Sequence, residues 1–128
     1  MEINFLCPKC NSFLNIGNKI VFSVQVKTNQ KGLILFEKTL GNYEVKKQDQ
    51  IQYEKGELLG FFCPICHENL VSDIHPNLAR INMVDEDKNE AIIFFSRISG
   101  EHATYKVDNN IEAFGPDKEK YLHLIKVE

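Results

Sequence analysis

Apolar and polar residues alternate along most of this chain, and a period of two predicts β-strands. In residues 20–26, the apolar side chains at 20, 22, 24 and 26 line one face. Residues 28–32 predict a hairpin turn into a strand at 33–36. Further strands are predicted at residues 43–45, 78–84, 91–95, 105–107 and 121–125, and a loop at 111–120. No segment of ten or more residues has a 3.6-residue apolar stripe, so the predicted fold class is mainly β.

One short motif occurs twice. The pattern Cys-Pro-X-Cys-X-X-X-Leu occupies residues 7–14 and again 63–70, and the apolar segment before it, 3–6, corresponds to 59–62. Residues 32–41 resemble 91–100, and residues 43–45 resemble 105–107 after a three-residue insertion in the loop. We therefore hypothesise that the single domain, 1–128, contains two similar β-meander halves, 3–58 and 59–125, as an internal duplication. For the apolar strands alone, chance similarity is the alternative.

The two motifs contain all four cysteines of the chain. Four thiolates from two CxxC pairs are the ligand set of a closed, tetrahedral structural zinc site. We therefore predict one Zn²⁺ per chain, bound by Cys7, Cys10, Cys63 and Cys66. Each half supplies only two ligands, so the site is expected to join the halves.

The flanks of these cysteines resemble the zinc-ribbon and rubredoxin-like double-knuckle proteins. Pro8 and Pro64 follow the first cysteine of each pair and preset the turn. The resemblance covers the cysteine flanks only, and it implies metal-binding knuckles and a zinc-ribbon-like arrangement. The sequence departs from the commonest knuckle at Asn11 and His67, where glycine is usual. That departure and the 52-residue spacer disfavour iron, but iron and redox-active thiols remain alternatives, and His67 is an alternative ligand.

Composition and charge indicate the cellular location and the class of partner. Hydrophobic residues make up 43% of the chain and charged residues 26%, which is typical of a soluble globular protein. The first residues show no signal peptide, no segment is apolar enough to enter a membrane, and paired CxxC motifs suit a reducing compartment, so a cytoplasmic location is expected. The net charge of −3 disfavours nucleic acid. We expect a protein partner, and the oligomeric state stays open.

Catalysis is not expected. A four-thiolate site has no open position for a water or substrate, and the chain has no phosphate-binding or nucleophile motif. Glu101 and His102, with Asp108 nearby, could form an acid–base group, but a polar hairpin tip is the favoured interpretation, because sequence neighbours at a strand end point apart. The predicted function is a non-enzymatic, metal-binding module for protein interaction or regulation. The alternatives are a rubredoxin-like iron electron-transfer protein and a nucleic-acid-binding zinc ribbon.

Overall fold

Two antiparallel sheets, A and B, make up the fold in the computed structural model, which describes residues 3–126. The mainly β prediction is confirmed, with ten strands and one short helix in that range. They are β1 (Asn4–Leu6), β2 (Asn15–Ile16), β3 (Lys19–Gln25), β4 (Lys31–Glu37), β5 (Val45–Lys47), β6 (Gly60–Phe62), β7 (Leu78–Val84), β8 (Glu90–Ser96), β9 (Thr104–Val107), β10 (Ile111–Phe114) and α1 (Glu119–Leu122).

The two sheets share one pairing scheme. Sheet A has the order β1-β7-β8-β9-β10. In sheet B, β2 and β6 lie one after the other along one edge of β3, while β4 pairs with the other edge and β5 pairs with β4. The meander β3-β4-β5 of sheet B thus corresponds to β7-β8-β9 of sheet A.

The registers of these meanders match. Ile20 pairs with Phe36 in sheet B, and the residues 59 positions later, Ala79 and Phe95, pair in sheet A. The outer strands keep this shift, because Val45 pairs with Phe36 while Thr104 pairs with Phe95. The predicted match of residues 43–45 with 105–107 is therefore wrong by three residues, since the hairpin registers leave no room for an insertion.

Each sheet takes one strand from the other half of the chain. β1 pairs with β7, with Asn4 opposite Val84, and β6 pairs with β3, with Gly60 opposite Gln25. We call this arrangement the strand exchange. Its consequence is that neither half completes a sheet alone, because the strand that leads into each cysteine motif is hydrogen-bonded to the opposite meander.

The core lies between the inner faces of the sheets. Four phenylalanine rings meet there, and all six pairs of ring centroids are 5.2–5.6 Å apart. We call them the four-ring cluster, and its members are Phe22, Phe36, Phe61 and Phe95. Phe22 is fully buried. Aromatic rings at these distances stabilise beyond the area they bury, so the cluster joins strands of both sheets.

The end of the chain differs from its prediction. Residues 111–114 form β10 on the edge of β9 rather than a loop, and residues 119–122 form α1 rather than the start of a strand. Tyr121 in α1 and Ile125, three residues after the helix ends, are buried with Phe94 and Tyr105. Five residues were too few to distinguish this four-residue spacing from the alternation of a strand.

The outer faces of the two sheets provide a test. Phe94 lies under the C-terminal segment, whereas Leu33 of β4 is 43% exposed. We expect Phe94→Ala to lower the free energy of unfolding by about 3–5 kcal/mol, because a buried ring leaves a cavity. Leu33→Ala should lower it by about 1 kcal/mol or less. Urea unfolding followed by circular dichroism measures both values. Equal decreases in the free energy of unfolding would contradict the burial of Phe94 beneath the C-terminal segment.

Candidate metal centre

The two cysteine motifs form turns of the same shape. In the first, the N–H of Cys7 donates to the carbonyl of Ser12 (3.1 Å), and the N–H of Asn11 donates to the carbonyl of Cys7 (2.9 Å). The second turn repeats both bonds, including a 2.9 Å bond from the N–H of His67 to the carbonyl of Cys63. These bonds fold each motif back along the strand that leads into it.

Each turn ends in a left-handed residue. Asn11 has a φ of 60° and His67 a φ of 67°, a region that favours glycine. Asparagine accepts this conformation more easily than histidine does, so the sequence carries some backbone strain at His67. Its ring nitrogens are not part of the sulfur cluster, so His67 lies outside the candidate ligand set.

The strand exchange brings the four sulfurs together. All four Sγ atoms lie within 4.8 Å of one another. The distance from Cys7 Sγ to Cys66 Sγ is 3.7 Å, and that from Cys10 Sγ to Cys63 Sγ is 3.8 Å. A tetrahedral ion with metal–sulfur bonds of about 2.3 Å requires sulfurs about 3.8 Å apart. The four cysteines are therefore positioned to hold one metal ion, with each half of the chain supplying two ligands.

Backbone N–H groups point at two of the sulfurs. Cys7 Sγ accepts from the N–H of Lys9 at 3.3 Å, and Cys63 Sγ accepts from the N–H groups of Ile65 and Cys66 at 3.3 and 3.4 Å. Both acceptor cysteines are buried, whereas Cys10 is exposed. Such bonds stabilise a thiolate and fix its direction, as expected around metal ligands.

The thiols differ in acidity when no metal holds them. Burial raises the pKa of Cys7 to about 12, although backbone hydrogen bonds oppose the rise. Hydrogen bonds from the side chain and backbone of Ser12 lower the pKa of the exposed Cys10 to about 6. Metal binding must therefore displace a proton from Cys7, while Cys10 is already ionised at neutral pH.

The acid–base alternative is not supported by the arrangement of its residues. Glu101 accepts hydrogen bonds from Tyr121 (2.6 Å), Ser96 (2.7 Å) and Lys120 (2.7 Å). Burial acts to raise the pKa of Glu101, but these bonds outweigh it and the pKa is lowered. His102 instead stacks on Tyr43, with centroids 4.3 Å apart.

Asp108 caps the turn between β9 and β10, where its carboxylate accepts from the N–H of Asn110. Glu101, His102 and Asp108 thus have separate structural contacts. Ser12 is the residue at the metal centre that sequence reasoning missed. Its position two residues after Cys10 was the available signal.

Comparison with known proteins does not assign the chain to a family. No protein family matches the chain, and neither the curated proteins nor the solved structures contain a match. The likeness to zinc ribbons therefore rests on the cysteine flanks and the sulfur geometry. Within residues 3–126, none of the helical structure has the length and apolar character needed to cross a membrane.

The acidity difference predicts an order of alkylation. In protein treated with a chelator at pH 7, iodoacetamide should modify Cys10 first and Cys7 last, because the thiolate is the nucleophile. The rate at Cys10 should fall as the pH decreases through about 6. Peptide mass spectrometry at timed intervals measures both. Equal rates at the two cysteines would contradict the described environments, and metal-loaded protein should be protected at all four.

Proposed function

We propose that this chain is a zinc-stabilised β domain that binds a partner protein and does not catalyse a reaction. The four convergent sulfurs support the structural role of the metal, because a complete thiolate set leaves no position for a substrate. The ligands come from both halves of the chain, so a bound ion adds a cross-link to the strand exchange. The free energy of metal binding then contributes to folding.

Zinc is the proposed metal. Sulfur geometry alone suits zinc and iron equally, but Asn11 and His67 occupy the two positions where glycine is usual in the knuckles of iron proteins of the rubredoxin type. Zinc in such a site is colourless and does not change oxidation state, which suits a structural role. Iron would instead favour the electron-transfer alternative.

Elemental analysis of untagged protein, purified without added metal, tests the metal. We expect one zinc per chain and no visible absorption. Cys63→Ser should bind less zinc and lower the midpoint of thermal unfolding by about 10 °C or more, because metal-binding energy is lost. Ile65→Ala is the matched control, since it changes an exposed residue of the same turn. Iron with visible bands, or full zinc and unchanged stability in Cys63→Ser, would refute the proposal.

The free edge of β5 carries the proposal of a protein partner. β5 pairs with β4 on one side, and all three of its residues are exposed. No strand in the part of the chain that the structure describes pairs with its other edge. An exposed edge presents unpaired backbone N–H and C=O groups that another strand can join.

Sheet A shows how the chain covers the corresponding edge. There β10 pairs with β9, and Glu112 lies opposite Lys106 with an ion pair of 3.8 Å. Lys47 in β5 holds the position that Lys106 holds in β9, because Lys47 pairs with Ile34 and Lys106 with Ile93. A segment that added to β5 as β10 adds to β9 would place a side chain opposite Lys47.

The charge of β5 indicates which kind of strand could add to its free edge. Lys46 and Lys47 make the edge basic, so two copies of β5 paired with each other would place like charges close together and destabilise the pair. An extended segment with acidic residues would pair favourably with both. We therefore propose that the partner is a protein that supplies an extended, acidic strand to β5.

Two synthetic peptides test this proposal. One has the sequence of residues 108–116, which contains β10, and the other carries Glu112→Lys. We expect the first peptide to shift the amide resonances of residues 44–48 in a saturable way. The second should bind about fivefold more weakly, because it brings like charges together. Two-dimensional NMR of the zinc-loaded protein measures both titrations.

Charge reversal supplies the control. The double variant Lys46→Glu, Lys47→Glu should prefer the lysine peptide, whereas Lys88→Glu, in the exposed turn between β7 and β8, should behave as the unmodified protein. Shifts centred on another surface, or equal affinity for both peptides, would refute strand addition at β5. Stronger binding to heparin than to either peptide would favour the nucleic-acid alternative.

A further inference from the structure

A cavity of about 120 Å³ lies between the sheets, away from the sulfur cluster. All members of the four-ring cluster line it, together with the buried side chains of Ile34 and Ile93. Protein interiors seldom leave a void larger than a water molecule. An apolar cavity of about 150 Å³ in another protein stays dry and accommodates benzene, so this cavity is comparable in size to a single aromatic ring.

Two loops of equal length form the outer wall. Residues 38–44 connect β4 to β5, residues 97–103 connect β8 to β9, and both line the cavity almost throughout. Both loops contain a left-handed glycine, Gly41 with a φ of 91° and Gly100 with a φ of 82°. Thr39, Asn42 and Gly100 are exposed, so the cavity reaches solvent between these loops.

The loops are joined by the stacked pair of Tyr43 and His102, whose rings are nearly parallel at 3°. The hydroxyl of Tyr43 is 2.9 Å from that of Thr104 and donates to the carbonyl of Phe114 at 3.1 Å. The N–H of His102 donates to the carboxylate of Asp117 at 2.9 Å. The two loops are therefore fixed in position by contacts within the protein.

Three of the four charged side chains of the wall are engaged elsewhere, and the fourth, that of Glu44, is exposed. Glu37 forms an ion pair with Lys19, and Glu101 one of 2.7 Å with Lys120. Arg97 donates to backbone carbonyls. A charged group placed against the phenylalanine rings would lose its hydration without gaining a partner there, which disfavours it strongly. The cavity suits a neutral ligand.

We propose that this cavity is a binding site for a small, neutral, single-ring aromatic molecule, with its ring against the four-ring cluster and one hydroxyl or amine at the loops. Edge-to-face contacts with the ring cluster would hold the ring. Polar side chains at the entrance, such as those of Thr39 and Asn42, are the hydrogen-bonding groups available to its substituent. This small-molecule site is distinct from the free edge of β5, although Val45 at the start of that strand also lines the cavity.

Phenol is the neutral probe, and benzoate tests the effect of charge, with benzamide as its neutral counterpart of the same size. We expect phenol to raise the thermal unfolding midpoint of the zinc-loaded protein with its concentration, and to shift the methyl resonances of Ile34 and Ile93 in a saturable way. Benzoate should bind at least tenfold more weakly than benzamide. Crystals pressurised with xenon should show the gas in the cavity, beside the four-ring cluster.

Two variants connect binding to the cavity. Leu40→Phe adds volume to a partly buried residue of the wall and should weaken phenol binding at least tenfold. Leu33→Phe adds the same volume to the outer face of β4 and should leave binding unchanged, and a circular dichroism spectrum checks that both variants fold. The proposal is overturned if phenol gives no saturable shift in the folded protein, if benzoate binds equally well, or if Leu40→Phe binds as tightly as Leu33→Phe.

Discussion

The contact among four phenylalanine rings is the interaction on which the rest of this structure depends. The rings come from β3, β4, β6 and β8, so they join strands of both sheets and of both halves of the chain. Phe61 lies two residues before Cys63, on the same side of its strand, and Phe36 and Phe95 lie where β4 and β8 end. One packed cluster therefore fixes the second knuckle and the bases of the two loops around the cavity.

The strand exchange adds a second constraint, which acts through hydrogen bonds. Residues 4–6 and 60–62 are short strands with few contacts of their own, and their direction is set by pairing with the longer β7 and β3. The cysteine turns continue from these strands, so the position of each sulfur pair is set by the opposite meander. A metal ion would join two elements that the sheets have already brought within bonding distance.

The sequence alone was sufficient to predict the local features of the fold and of the metal centre. Alternating residues at 20–26 and 78–84 predicted β3 and β7, because one face of each strand is buried. The spacing of Cys7, Cys10, Cys63 and Cys66 predicted a shared site, since four thiolates have few other uses.

It was insufficient where the outcome depends on distant parts of the chain. Which strand Asn4 or Gly60 joins is decided by packing between the sheets, and a sequence of three residues carries no signal for it. Residues 121–125 form the end of a helix and a turn instead of a strand, because Tyr121 and Ile125, four residues apart, are both buried on the same surface. The cavity likewise results from how two loops, 59 residues apart, meet at Tyr43 and His102.

The strand exchange also has a consequence for association between molecules. Every pairing that joins the first half to the second is available equally between two chains, because a neighbouring molecule offers the same β3, β7 and cysteine turns. Residues 48–59 would serve as the hinge, and two chains that opened there could close on each other without any new contact. Such a dimer would contain two metal centres, each with Cys7 and Cys10 from one chain and Cys63 and Cys66 from the other. The balance between this form and the closed monomer is then set by protein concentration and by the length of the hinge.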